Sequence, residues 1–137
     1  MHQKDYILRL IEQAGAVLAR VRRLLFGGAS AAEVEQAMSE AARLAGVDLR
    51  LLRDMTPDTL LLLMSPGGEP EPSRCWITAE LLYLEGRAAD AAGDEGAAMA
   101  AYGKALLLFR ALSPDLLPGL PEAEERVREL EALVDAG

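Results

Sequence analysis

Two apolar, alanine-rich stretches, residues 74–92 and 95–112, are separated only by Gly93-Asp94. So short a turn brings two helices back against each other, which commits the second half of the chain to a helical hairpin. Gly93 suits the φ > 0 geometry that ends one helix, and Asp94 can cap the next. Gly86, Ala98 and Ala105 are small enough to let the helices approach closely, and Tyr102 supplies bulk at the crossing.

Composition extends this reading to the whole chain. Hydrophobic residues make up 51% of the 137 residues and aromatic residues only 4%. Such a chain builds one modest core from Leu, Ala, Val, Ile and Met, which suits close-packed helices better than a sheet. The expected architecture is all-α, with six or seven helices in one domain, residues 1–137. It divides into N-terminal helices (1–64), a Pro/Gly loop (65–73) and the hairpin with a capping helix (74–137). Three prolines and two glycines between Ser65 and Pro72 mark that loop.

The first helix is expected from Lys4 to Phe26. Ile7, Leu10, Ile11, Ala14, Val17, Leu18 and Val21 fall at helical spacing, with Asp5, Arg9, Glu12 and Arg20 opposite. Ile7, Ile11, Ala14, Leu18 and Val21 form a nearly heptad stripe, a candidate homodimer seam or a piece of core. Gly15 costs the helix about 1 kcal/mol relative to Ala, for which close approach of another helix is the expected reason. Ser30 and Glu33 have capping-box spacing at the start of a second helix. Short helical turns follow at Asp48–Asp54 and from Thr56-Pro57 through Leu60–Met64. The final helix is expected over 121–135, with Val127, Leu130, Leu133 and Val134 on one side.

Residues 79–106, AELLYLEGRAADAAGDEGAAMAAYGKAL, resemble one tetratricopeptide repeat: Gly86, the Gly93-Asp94 turn, Ala98, Tyr102 and Lys104-Ala105-Leu106 match its spacing. The hairpin departs from that pattern at Ala89, where a larger residue is usual, and in a second helix that runs on through Leu107, Leu108 and Phe109. No second copy is present. The resemblance implies helical hairpins packed as a short right-handed α-solenoid-like bundle, and a face on the first hairpin helix, formed by Glu80, Tyr83, Arg87 and Asp90, that contacts a protein or peptide. A lone repeat cannot bury its own faces, so other helices or a second subunit must cover it. The opening MHQKDYILRLIEQ is also similar to that of a family of short bacterial helical proteins, a resemblance that implies no activity.

Candidate chemistry is sparse. His2 is the single histidine, which leaves no multi-histidine metal site or histidine triad. Cys75 has no companion thiol, and a small buried side chain is its expected role. Trp76, the sole tryptophan, is expected in the core. No glycine spacing matches a phosphate-cradling motif. The acidic runs at Asp90–Glu95 and Glu122–Glu125 fit solvated helix starts. No catalytic, cofactor or metal residues are therefore expected.

Charge is uneven. Five basic and two acidic side chains give residues 1–26 a net +3, residues 27–64 carry −3, and residues 65–137 carry −8. An overall −8 disfavours nucleic-acid and anionic-membrane partners. Asp5, Arg9 and Glu12 break up what a secretory signal needs as an apolar core, and Leu60–Met64 is too short to span a bilayer. These features give the expectation of a non-enzymatic, cytoplasmic interaction or scaffold protein, a homodimer with a protein or peptide partner. The alternative is a small-ligand or enzyme-associated module with an apolar pocket between the N-terminal helices and the hairpin, for which Met38, Met55, Met64 and Met99 are adaptable lining.

Overall fold

The computed structural model describes residues 2–112, 114, 119–120 and 122–136, with side chains at all of these except 2–5, 7 and 136. The expectations for the His2 and Ile7 side chains and for residue 121 at the start of the final helix lie outside what is described. Among those described the fold is all-α, with seven helices and no strand: α1 His2–Phe26, α2 Ala31–Leu44, α3 Leu49–Asp54, α4 Pro57–Leu63, α5 Pro72–Ala91, α6 Glu95–Ala111 and α7 Ala123–Ala136.

Most helix starts are written in their caps. The Glu33 amide donates to Ser30 Oγ at 3.2 Å, the Arg50 amide to Asp48 Oδ1 at 2.8 Å, and the Ala97 amide to Asp94 Oδ1 at 3.0 Å. Each satisfies an amide that has no intrahelical partner. Ser30 and Glu33 close their box differently from the usual pattern, since the Glu33 carboxylate accepts from the Ser30 hydroxyl.

α5 begins earlier than its composition suggests. Pro72 sits in the first turn, where a missing N–H costs nothing. The Glu71 carboxylate accepts from the Ser73 and Arg74 amides at 3.3 and 2.8 Å. The Pro/Gly loop therefore ends at Glu71 rather than at residue 73. α7 starts at Ala123, two residues later than expected, behind Glu122 in the left-handed region (φ 58°).

α5 is the central element. Every residue from Cys75 to Leu84 is buried, so this helix is covered all round rather than along one stripe. It pairs with α6, and α1 and α2 pack on it as well. Contacts at both ends show the α5–α6 pair to be an antiparallel hairpin: Tyr102 donates to Asp90 Oδ2 at 2.7 Å near the turn, and the Cys75 thiol to the Leu108 carbonyl at 3.2 Å far from it. At the crossing, a Cβ on Gly86 would lie 2.5 Å from Tyr102 Cδ1, so only glycine fits beneath that ring. Gly93 makes the turn at φ 82°.

Gly15 has a different role from the one its sequence position suggests. A Cβ there would meet nothing within 4 Å, so no helix approaches it. It borders a cavity instead.

Two basic side chains tie the ends of α2 and α3 to the hairpin. Arg74 Nε donates to the Ala45 carbonyl at 2.9 Å, just past the end of α2. Lys104 Nζ donates to the Leu52 and Arg53 carbonyls at 3.1 and 3.0 Å, at the end of α3. Both place a cation where carbonyls lack helical partners.

Candidate functional site

The centre of interest is a charge inside α5. Glu80 sits in an apolar run between Ile77 and Leu84 and is 1% exposed. An ionised carboxylate there is costly unless paired and hydrogen-bonded. Its principal partner comes from α7: Arg126 Nε donates to Glu80 Oε1 at 3.1 Å. A second comes from α1, where Arg22 Nη2 lies 3.4 Å from Glu80 Oε2. Burial holds the Glu80 carboxyl above the ordinary carboxylate range, while Arg126 and Arg22 pull it down without fully offsetting that. Burial would lower the Arg126 guanidinium, yet Glu80 beside it holds it above its ordinary value.

Arg126 gathers the surrounding groups. It donates to Glu129 at 3.1 Å and to Glu122 at 2.9 Å, and its guanidinium carbon stands 4.1 Å from the centre of the Tyr83 ring. Tyr83 in turn donates to Glu129 Oε1 at 2.9 Å. Burial, then the bond to Glu129, raises the Tyr83 hydroxyl above its usual range. Three helices are thus tied at one point by side chains far apart in sequence.

A cavity of about 140 Å³ adjoins this cluster. It is lined by Gly15, Leu18, Ala19 and Arg22 of α1, Trp76 and Glu80 of α5, and Glu122. Elsewhere in the packed interior, Trp76 Nε1, Arg22 Nε and Thr78 Oγ1 are buried without a hydrogen-bond partner among the described residues.

The four residues of the proposed hairpin face separate into two pairs. Glu80 and Tyr83 point inward and are engaged by α7. Arg87 is half-buried, 5.6 Å from the centre of the Phe26 ring, and Asp90 is exposed and accepts from Tyr102. The stripe considered as a dimer seam also faces inward, for Ile11, Ala14, Leu18 and Val21 are all in the chain's own core. Cys75 is fully buried and burial pushes its thiol up to about 12, which leaves almost no thiolate at neutral pH. No group of three or more metal-ligating side chains occurs among the described residues. No described helix is long and apolar enough to cross a membrane.

A second feature is an open groove of about 430 Å³ where the end of α1, the start of α2 and the end of α5 meet. Leu25, Val34, Met38, Ala88, Ala89 and Ala92 line it. Arg53, Glu35 and Glu85 also line it, with Arg53 Nη2 2.6 Å from Glu35 Oε1 and 2.5 Å from Glu85 Oε1. The bond from Arg53 lowers the Glu35 carboxyl below its ordinary range. Phe26, next to Leu25, is 57% exposed.

Arg126 was not among the residues singled out by sequence, and Glu122 was expected only as part of a solvated acidic helix start, whereas it accepts from Arg126 and lies 3.3 Å from Arg22. The available signal is Glu80 itself, since a lone charge in a helix apolar on every side requires a distant cation. Comparison with protein-family models, curated proteins and solved structures gives no match to this chain.

Proposed function

We propose that this protein is a non-enzymatic, helix-binding interaction module built on a tetratricopeptide-like hairpin, and that it receives a partner in the α1–α2–α5 groove. The observation that carries this reading is the division of surfaces. The hairpin face at Glu80 and Tyr83 is taken by the chain's own α7, whereas the groove beside Ala88, Ala89 and Ala92 is open. Its alanines let a helix backbone come close, and Leu25 and Val34 offer apolar contact, the arrangement used in helix-in-groove recognition. The lining carboxylates Glu35 and Glu85 outnumber the one cation Arg53, and the chain carries −8 overall. The partner that fits is an amphipathic helix with a narrow apolar edge and basic flanks. A second copy of this acidic chain fits less well on charge grounds.

The reading is tested by selection from a displayed library of amphipathic helical peptides. Selected peptides are expected to pair aliphatic residues at i, i+3 or i+4 with Lys or Arg alongside. Ala92 is exposed, so Ala92→Arg leaves the core intact and should weaken these peptides at least about tenfold by repulsion. Acidic or uncharged winners, or equal binding to Ala92→Arg, would refute the groove as the site.

A further inference from the structure

The lining of the α1–α2–α5 groove is apolar except at one place, where Glu35 of α2, Glu85 of α5 and Arg53 of α3 meet. Arg53 forks onto both carboxylates at once. Its Nη1 and Nη2 donate to Glu35 at 3.0 and 2.6 Å, and its Nε and Nη2 donate to Glu85 at 3.1 and 2.5 Å. A planar guanidinium can bridge two carboxylates in this way, whereas a lysine ammonium is a point charge without the fork. Glu35 and Glu85 together form a guanidinium seat, built from two of the helices that wall the groove.

The residue now in that seat is replaceable. The Arg53 side chain is 38% exposed, at the end of a six-residue helix, and the carboxylates it joins are 47% and 17% exposed. Ion pairs this open to water contribute little to stability. Lys104 holds the end of α3 by the Leu52 and Arg53 carbonyls, so the Arg53 side chain can turn into water without the backbone moving. One cation shared by two carboxylates also leaves the seat negative. An incoming guanidinium can exchange with Arg53 and keep both carboxylates paired.

We propose that Arg53 is an internal stand-in for the partner, and that the partner helix displaces it and seats an arginine of its own between Glu35 and Glu85. This rests on the groove reading above and names the residue that the partner must carry. A helix with lysine, or with no cation, leaves Arg53 in place and gains only the apolar contact with the rest of the groove. Arg53 thereby sets both the strength of binding and its preference for arginine.

The probe is the tightest helical peptide selected against the full chain, compared with versions in which its arginine is replaced by lysine or by citrulline, the neutral isostere. Arg53→Gln empties the seat and should tighten the arginine peptide at least about fivefold, with no gain for the citrulline version. Arg110→Gln makes the same change in net charge on the α6–α7 side, where Arg110 pairs with Glu131, and should change nothing. If Arg53→Gln loosens α3, Arg53→Lys keeps the charge but loses the fork and should give a smaller gain of the same sign. In a nitrogen–proton correlation spectrum, the Arg53 Nε–H signal is identified by its loss in Arg53→Gln. It should lose its protection from water exchange when the arginine peptide binds and keep it with the citrulline version. Selected peptides without arginine, equal binding of the lysine version, or no gain from either Arg53 variant would overturn the stand-in while leaving the groove intact. Peptides indifferent to Ala92→Arg would remove the groove and the stand-in with it.

Discussion

Two glycines inside helices look alike in sequence and do opposite things. Gly86 lies beneath the Tyr102 ring, which is held in place by its bond to Asp90. Gly15 faces open space. Replacing each by alanine should therefore change stability in opposite directions. Gly86→Ala removes the intrinsic cost of glycine but forces a methyl into the ring, and overpacking of that kind costs about 1–3 kcal/mol. Gly15→Ala meets no obstacle and should stabilise by up to about 1 kcal/mol. Urea denaturation of the two variants beside the parent chain checks this; a stabilised Gly86→Ala would mean that the helices cross elsewhere. Gly86 was legible because its partner sits on the adjoining hairpin helix, at a spacing set by one short turn. Gly15 was misread because spacing shows which face a residue occupies, not what lies opposite.

Helices were legible where their ends are decided locally. Ser30, Asp48 and Asp94 cap the elements that their positions announce. Pro72 was assigned to the loop because it stands among other prolines, yet the Glu71 carboxylate turns it into the first residue of α5. The hold of α7 on the hairpin had no local signal, since Arg126 and Glu80 are 46 residues apart. This tie gives a sharper prediction than any cap. Arg126→Leu leaves Glu80 with only the more distant Arg22 and should destabilise by about 3 kcal/mol. Adding Glu80→Leu to that variant should recover most of the loss, because an apolar pair can replace a buried ion pair. The pH dependence has a definite sign. Glu80 is held above its ordinary 4.5 in the folded chain, and losing Arg126 raises it further. The penalty for ionising it is absent below about 4.5 and grows as pH rises through the folded value. The cost of Arg126→Leu should thus be larger at pH 7.5 than at pH 4.5, and chemical denaturation at the two values reads it. An equal cost at both would mean that Glu80 is not the partner that matters.

For the whole molecule, the arrangement of helices decides which surfaces are available. A lone hairpin must have its faces covered, and here α1, α2 and α7 do it. The residues that the hairpin pattern offers for recognition are in part consumed by that covering. The groove beside the end of α5 is assembled from three helices and has no contiguous sequence, so only the folded chain displays it. The most direct measurement is amide hydrogen exchange of the full chain with and without a peptide selected for binding. The groove account predicts added protection at Val34–Met38 and Ala88–Ala92, with exchange at Arg126–Leu130 unchanged. Faster exchange across Arg126–Leu130, with new protection at Glu80–Leu84 and none at the groove, would show that the partner displaces α7 and would contradict the account.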